Sequence, residues 1–177
     1  MFDDWHEYYF MIGSCAAALI GLMFVVITLT AGRGRSESEE RKHLYTSPIV
    51  WHLSAILALS GAAMSPTVPA QAFAILAGVA AILGAGFGIR SAVGIARWEH
   101  APSRGFEIFW YGIAPTLAYA GLAVAAAGTC FGTSWASTAV AGSMMALLLL
   151  SIHAEWDLVT FLAPDAGQPH GGPNEDR

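Results

Sequence analysis

The chain has 177 residues, of which 55% are hydrophobic and only 12% are charged, and its formal net charge is -5. Together with a mean hydropathy of +0.54, this composition is typical of a polytopic helical membrane protein and excludes an ordinary soluble core. The negative net charge and the lack of a dense basic run argue against a nucleic-acid partner.

Three long stretches of the chain contain no Asp, Glu, Lys or Arg. They cover residues 8–32, 43–89 and 108–154 and hold 25, 47 and 47 residues. A bilayer core about 30 Å thick is crossed by roughly 20 apolar helical residues, so these stretches fit one, two and two crossings. Charge is kept out because an ion at mid-bilayer costs about 3 kcal/mol or more. We therefore predict an all-α membrane protein, a bundle of five transmembrane helices.

The ends of the predicted spans follow from helix-starting and helix-breaking residues. Ser47 and Pro48 start the second span, and Pro66 and Pro69 turn the chain back after it. The five spans are predicted at about residues 8–31, 48–65, 72–92, 108–130 and 136–157, all within one domain over 1–162. The Pro- and Gly-rich segment 163–177 is predicted to be a disordered cytoplasmic tail.

The orientation follows from the cations, which all fall on one side of such a bundle. They are Arg33, Arg35, Arg41, Lys42, Arg90, Arg97, Arg104 and Arg177. The positive-inside rule then predicts an N-terminus outside and a C-terminus in the cytoplasm. Residues 33–46, between spans one and two, are predicted to form a short amphipathic cytoplasmic helix with a capping box at Ser36 and Glu39. This helix fits either a place beside the lipid headgroups or a docking site for a cytosolic partner.

Small residues at steps of four predict close helix packing within the membrane. Span one carries Gly13, Ala17 and Gly21, and span three carries a stripe that includes Gly84 and Gly88. Packing inside the bundle is the favoured interpretation, and a subunit interface along span three is the alternative.

Proline at position 115 is predicted to interrupt span four and to free the backbone carbonyl of Tyr111. A structural kink repaired by neighbouring groups is favoured over a cavity-lining role, since proline is common in membrane helices.

Polar residues that could carry chemistry gather near the cytoplasmic ends of the spans. They are His52, His153, Asp157, Arg90, Glu107 and Glu155. His153 and Asp157 are four residues apart and share a helix face, which we expect to point into the bundle, whereas Glu155 points elsewhere. His52 and His153 are expected at similar depth, and Arg90 is expected to pair with Glu107 or Asp157.

This group of residues has two interpretations. One is a polar vestibule in which the histidines relay protons or bind a ligand. The other is interfacial anchoring, with charged groups reaching water, and this is the favoured reading for Glu155 and Glu107. The sequence alone does not separate the two for the histidines.

Cofactor and enzyme motifs are largely missing. Histidines on two membrane helices can ligate a b-type haem, and His52 with His153 is the single available pair, so haem is a lesser alternative. The run from His153 to Asp157 lacks the spacing of a metal site. The sequence has no nucleophile-elbow motif and no phosphate-binding glycine loop. We therefore expect no cofactor, no metal and no enzyme activity.

The first span carries a pattern of Trp-His, then aromatic residues, then a Gly- and Ala-rich stretch that ends in Gly-Leu-x-Phe-Val. These residues are Trp5-His6, Tyr8, Tyr9, Gly13, 16–18 and 21–25. The pattern resembles the first span of small, uncharacterised bacterial multi-pass membrane proteins. The resemblance covers about the first 30 residues; it implies a bacterial inner-membrane location and no particular activity.

The leading functional hypothesis is an oligomeric channel or transporter for a small ion, with the proton as a candidate. It depends on the polar residues at the inner side, the small-residue stripes and the near absence of soluble mass. The alternative is a membrane regulator or scaffold that binds another membrane protein and transports nothing. The predicted partners are the lipid bilayer, a small ion and further copies of the chain.

Overall fold

The computed structural model describes the backbone of residues 3–30, 37–97 and 104–162 and the side chains of 4–28, 48–97 and 105–160. Throughout these ranges the chain is helix and turn, with no strand. A short 3-10 turn leads into six helices, and a π-helical turn joins two of them. The helices are α1 (His6–Thr30), α2 (Glu37–Met64), α3 (Ala70–Ala96), α4 (Arg104–Ile108), α5 (Ala114–Cys130) and α6 (Ala136–Leu162).

Four helical stretches are long and apolar enough to cross a membrane. They are His6–Thr28, Ala70–Ala96, Gly105–Cys130 and Ala136–Thr160, and Pro48–Met64 is a shorter apolar helix. The stretch Gly105–Cys130 corresponds to the predicted fourth span and is called the fourth span below. It is continuous because α4, the π turn (Phe109–Ile113) and α5 follow one another without a break. The all-helical prediction is confirmed for the described residues, and the lengths of these helices fit a multi-pass membrane protein.

The predicted helix start at Ser47 and Pro48 was wrong, although the apolar part of this helix, Pro48–Met64, agrees with the predicted span at about residues 48–65. Helix α2 begins at Glu37, so Pro48 lies inside it, and the predicted separate helix is the first part of α2 from Glu37 onwards. Glu, Arg and Lys favour helix, and the single backbone hydrogen bond lost at proline does not end the helix here. Ser36 and its capping box lie outside the described residues, as does the tail 163–177.

The core lies where the long helices meet. Helix α2 packs on α1, α3 and α6, while α5 packs on α3 and α6. The largest fully buried side chains include Tyr9, Phe73, Tyr119 and Met144. The outer surface is also apolar: Ile82 is 73% exposed, and other large aliphatic and aromatic side chains are exposed on every long helix. Such an extended apolar exterior is typical of a surface that contacts lipid.

The small residues of α3 pack inside this chain. A methyl group on Gly84 would overlap the ring of Tyr119, and one on Gly88 would come 2.5 Å from Thr116 Oγ1. Both glycines are buried where α3 meets the fourth span. Packing within the chain therefore explains why these two positions of the stripe carry small residues, and no subunit interface is needed to explain them.

The small residues of α1 divide between two surfaces. Gly13 is buried, and a methyl group there would come 2.9 Å from Ser60 Cβ of α2. Gly21 has no atom within 4 Å of such a methyl group. Ala17 and Gly21 are both exposed on the outer surface, so their predicted role in packing within the bundle is not what the structure shows.

The π turn accommodates Pro115. Ala114 donates its N–H to the carbonyl of Phe109, five residues back, and the Thr116 hydroxyl donates to the Gly112 carbonyl at 2.7 Å. Because the turn is widened just before the proline, the ring avoids the clash that it would meet in a regular helix. This local repair is the structural role that was favoured for Pro115.

Candidate functional site: polar groups inside the bundle

A histidine–tyrosine pair lies at mid-height in the bundle. His52 Nδ1 and the Tyr119 hydroxyl are 2.8 Å apart, and the two rings are tilted with centroids 5.3 Å apart. His52 is 4% exposed and Tyr119 is fully buried. The ring of Tyr119 lies directly over Gly84, so α3 and α5 approach closely at this level. Helices α2, α3 and α5 therefore hold the two side chains in place.

The height of this pair follows from its distance to the helix ends. His52 lies about 12 residues, or roughly 18 Å, from the end of α2 at Met64. Tyr119 lies roughly 16 Å from the end of α5 at Cys130, on the same side of the bundle. The pair lies near the middle of the bundle, because Gly84 and Tyr119 are near the midpoints of their helices. Along α2, His52 is four residues from Pro48, where the apolar part of that helix begins.

A second group of polar residues lies where the fourth span begins, between that span and the C-terminal part of α6. The Tyr111 hydroxyl donates to Asp157 Oδ2 at 2.6 Å, and His153 Nε2 lies 3.5 Å from the same oxygen. The His153 ring packs against Trp110 with centroids 4.6 Å apart and the ring planes tilted by 43°. Phe106 lies edge-on to His153 at 6.5 Å. The side chain of Asp157 is 40% exposed, so its carboxylate is open to solvent. The His153 side chain is 34% exposed, but its Nε2 atom is buried and has no hydrogen-bond partner in the described part of the chain.

The two histidines belong to different sites. His153 lies roughly 26 Å from the start of α6 at Ala136, which places it well below the level of His52. His52 binds Tyr119, and His153 contacts Trp110 and Asp157. The expectation of similar depth was wrong, and this separation gives the haem alternative no geometric support.

The faces of α6 are the reverse of the prediction. Glu155 is 6% exposed and His153 is half-buried at the edge of the bundle. The buried face of α6 is set by its large apolar residues, and Glu155 lies on it together with Ser151 and Leu158. The favoured reading of Glu155 as an anchor that reaches water was therefore wrong. Gly142 is exposed and Ala146 is only partly buried, so the side of α6 that carries small residues is not its interior.

The predicted ion pairs of Arg90 are also absent. Arg90 is exposed on α3 and forms no hydrogen bond or ion pair within the part of the chain that the structure describes. Glu107 is half-buried in α4. Helical geometry places Arg90 on the side of α3 opposite Gly88, which faces Gly112 of the fourth span.

Three aromatic residues of the two sites were not predicted as part of them: Tyr111, Trp110 and Tyr119. A usable signal existed for Tyr119, because a tyrosine hydroxyl in the middle of an apolar span needs a hydrogen-bond partner.

The described residues contain no group of three or more His, Cys, Asp or Glu that could hold a metal ion. What the two sites offer chemically is hydrogen bonding and the holding of protons. Comparison of the chain with family models, curated proteins and solved structures finds no significant match.

Proposed function

We propose that the chain is a five-span protein of a bacterial inner membrane, with its N-terminus outside and its C-terminus in the cytoplasm. The apolar exterior of the long helices supports a lipid environment. The apolar half of α2 has 17 residues, from Pro48 to Met64, or about 26 Å of helix, and the polar half extends this helix toward the cationic side. Arg90 and Arg97 lie at that same end of the bundle.

The topology predicts that the two termini react from opposite sides of the membrane. A single-cysteine tag at each end, in a background with Cys15 and Cys130 replaced by serine, is treated with a membrane-impermeant thiol reagent on intact cells. We expect the N-terminal tag to react before lysis and the C-terminal tag only after it. Reaction of both tags before lysis would contradict the five-span topology.

For the activity, we propose proton-linked movement of a small ion through an oligomeric channel or transporter. The observation that carries this proposal is the buried His52–Tyr119 pair at mid-height. An ionisable side chain at this level is expensive to bury in a membrane bundle, and residues of this kind mark ion pathways and proton relays. Buried polar groups also occur above and below the pair, at Ser60 and at Ser151.

The proposed channel is an oligomer of this chain. The stripe of α3 is used within the chain, so a second copy would have to pack on another surface. The exposed face of α1 that carries Ala17 and Gly21 is the surface we propose for it, since small residues allow helices to approach closely. The mass of the purified protein in detergent gives the subunit number.

Purified protein in liposomes tests the activity. We expect a proton gradient to dissipate faster than in empty vesicles. We expect His153→Ala to change the flux or its dependence on pH between about pH 5 and 8. Phe109→Ala is the matched control, because Phe109 is exposed on the neighbouring π turn and contacts only Trp110 among the described rings. Flux no greater than in empty vesicles, for protons and for a panel of other ions, would contradict the proposal and favour the scaffold alternative. If His153→Ala has the same flux as the unsubstituted protein across this pH range, His153 contributes to packing and not to transport.

A further inference from the structure

A carboxyl group without a partner lies inside the bundle near its inner end. Glu155 is 6% exposed, and its Oε1 is buried with no hydrogen-bond partner among the described residues. The buried hydroxyl one turn above it, that of Ser151, donates to the Leu147 carbonyl at 2.9 Å and is therefore already used. An ionised carboxylate here would be a buried charge with no counter-charge among the described side chains, which is strongly unfavourable in a membrane bundle.

The surroundings of Glu155 do not suit a metal cation. Calcium takes 6–8 oxygen ligands and magnesium takes a full octahedron, and sodium sites in membrane bundles use the free carbonyls of broken helices. Helix α6 is unbroken from Ala136 to Leu162, and no cluster of metal ligands occurs among the described residues. A proton, in contrast, needs a single oxygen. It also removes the charge that makes the position unfavourable.

The elements packed against α6 bring further titratable groups, of which none described forms a hydrogen bond or ion pair with Glu155. These groups are His153 and Asp157 on α6, Glu107, Tyr111 and Tyr119 on the fourth span, His52 on α2, and His6, Glu7, Tyr8 and Tyr9 on α1. The charged first part of α2, residues 37–47, has side chains outside the described set.

From this geometry we infer that the ion is a proton and that Glu155 is the group that takes it up at the cytoplasmic end. This inference rests on the proposed transport function. Glu155 rests in its protonated, neutral form within the bundle and gives up its proton only when the inner end is hydrated. His153 and Asp157 are partly exposed and lie on the opposite face of α6 from Glu155.

A hydrophobic carbodiimide tests the protonation of Glu155 without any transport measurement. Dicyclohexylcarbodiimide takes the proton of a neutral carboxylic acid onto one nitrogen while the carboxyl oxygen bonds to its central carbon. The resulting O-acylisourea rearranges to a stable N-acylurea, so no other reactant is needed. We expect mass spectrometry of the full-length protein in detergent to find this adduct on Glu155, with more labelling at low than at high pH. Sodium chloride should protect no better than choline chloride.

Asp157 is the internal control, because its side chain is 40% exposed and should react instead with a water-soluble carbodiimide and an amine. Selective protection of Glu155 by sodium would overturn the proton assignment and indicate a sodium site. Labelling of Asp157 with none on Glu155, while the protein stays folded, would show that Glu155 is ionised and would also overturn it.

In liposomes, Glu155→Gln should reduce proton flux at least tenfold, and Glu155→Asp should keep part of it. If the unsubstituted protein conducts no ions while Glu155 is labelled as expected, the proposed function fails and the protonation of Glu155 stands. If flux is present and Glu155→Gln conducts normally, the proposed function stands and the role of Glu155 fails. The labelling does not depend on either variant folding.

Discussion

Replacing Gly84 by alanine should lower the free energy of unfolding by about 1–3 kcal/mol, the usual effect of overpacking a well-packed interior. The added methyl group would overlap the ring of Tyr119, and this ring is not a free chain end, because its hydroxyl binds His52. Either α3 and α5 move apart or the phenol leaves His52, and both outcomes are unfavourable. Unfolding in mixed detergent micelles, followed by circular dichroism, measures the change.

Matched controls for Gly84→Ala are present on the same helix. Gly78 and Gly86 have no atom within 4 Å of an added methyl group, so alanine at either position should leave stability unchanged or raise it by up to about 1 kcal/mol through helix propensity. Tyr119→Phe should not rescue Gly84→Ala, since the ring remains in place. Equal stability of Gly84→Ala and Gly86→Ala would contradict the close approach at Tyr119.

Removal of the Tyr119 hydroxyl by Tyr119→Phe should destabilise the protein by about 1–3 kcal/mol. The ring still fills the space over Gly84, but His52 Nδ1 is left buried with no partner. His52→Leu should also destabilise, and the double variant should lose less than the two single losses added together, because no polar group is then left unpaired. The same micelle unfolding measurement applies to all three proteins.

The control for Tyr119→Phe is Tyr111→Phe. Tyr111 also donates a short hydrogen bond, to Asp157, but water reaches this carboxylate and can replace the lost hydroxyl. Its effect on stability should therefore be smaller, about 1 kcal/mol or less. Additive losses for Tyr119→Phe and His52→Leu would mean that the 2.8 Å contact contributes little to stability.

The spans could be predicted because the exclusion of charge from a membrane leaves a strong pattern. The predicted end of the fourth span at Cys130 and the predicted start of the fifth span at Ala136 agree with the structure. The prediction failed at Pro48 for a local reason: a proline at a helix start and a proline inside a helix look alike in sequence.

The candidate site was predicted only in part. The pairing of His153 with Asp157 follows from four-residue spacing, and the structure has the two groups 3.5 Å apart. The burial of Glu155 could not be predicted in this way, since every face of α6 is rich in apolar residues and helical periodicity then gives no direction. The partner of His52 is 67 residues away in the chain, beyond the reach of any local pattern.

By itself, the sequence determined that this is a helical membrane-type protein with its charges confined to short segments, because the energy of a charge in lipid acts on composition and spacing alone. Only the tertiary structure decided which polar groups meet, since helices whose whole surface is apolar are oriented by close packing with their neighbours. The small residue at position 84 lets Tyr119 reach His52, and the packing of α6 against its neighbours turns Glu155 inward and His153 to the edge.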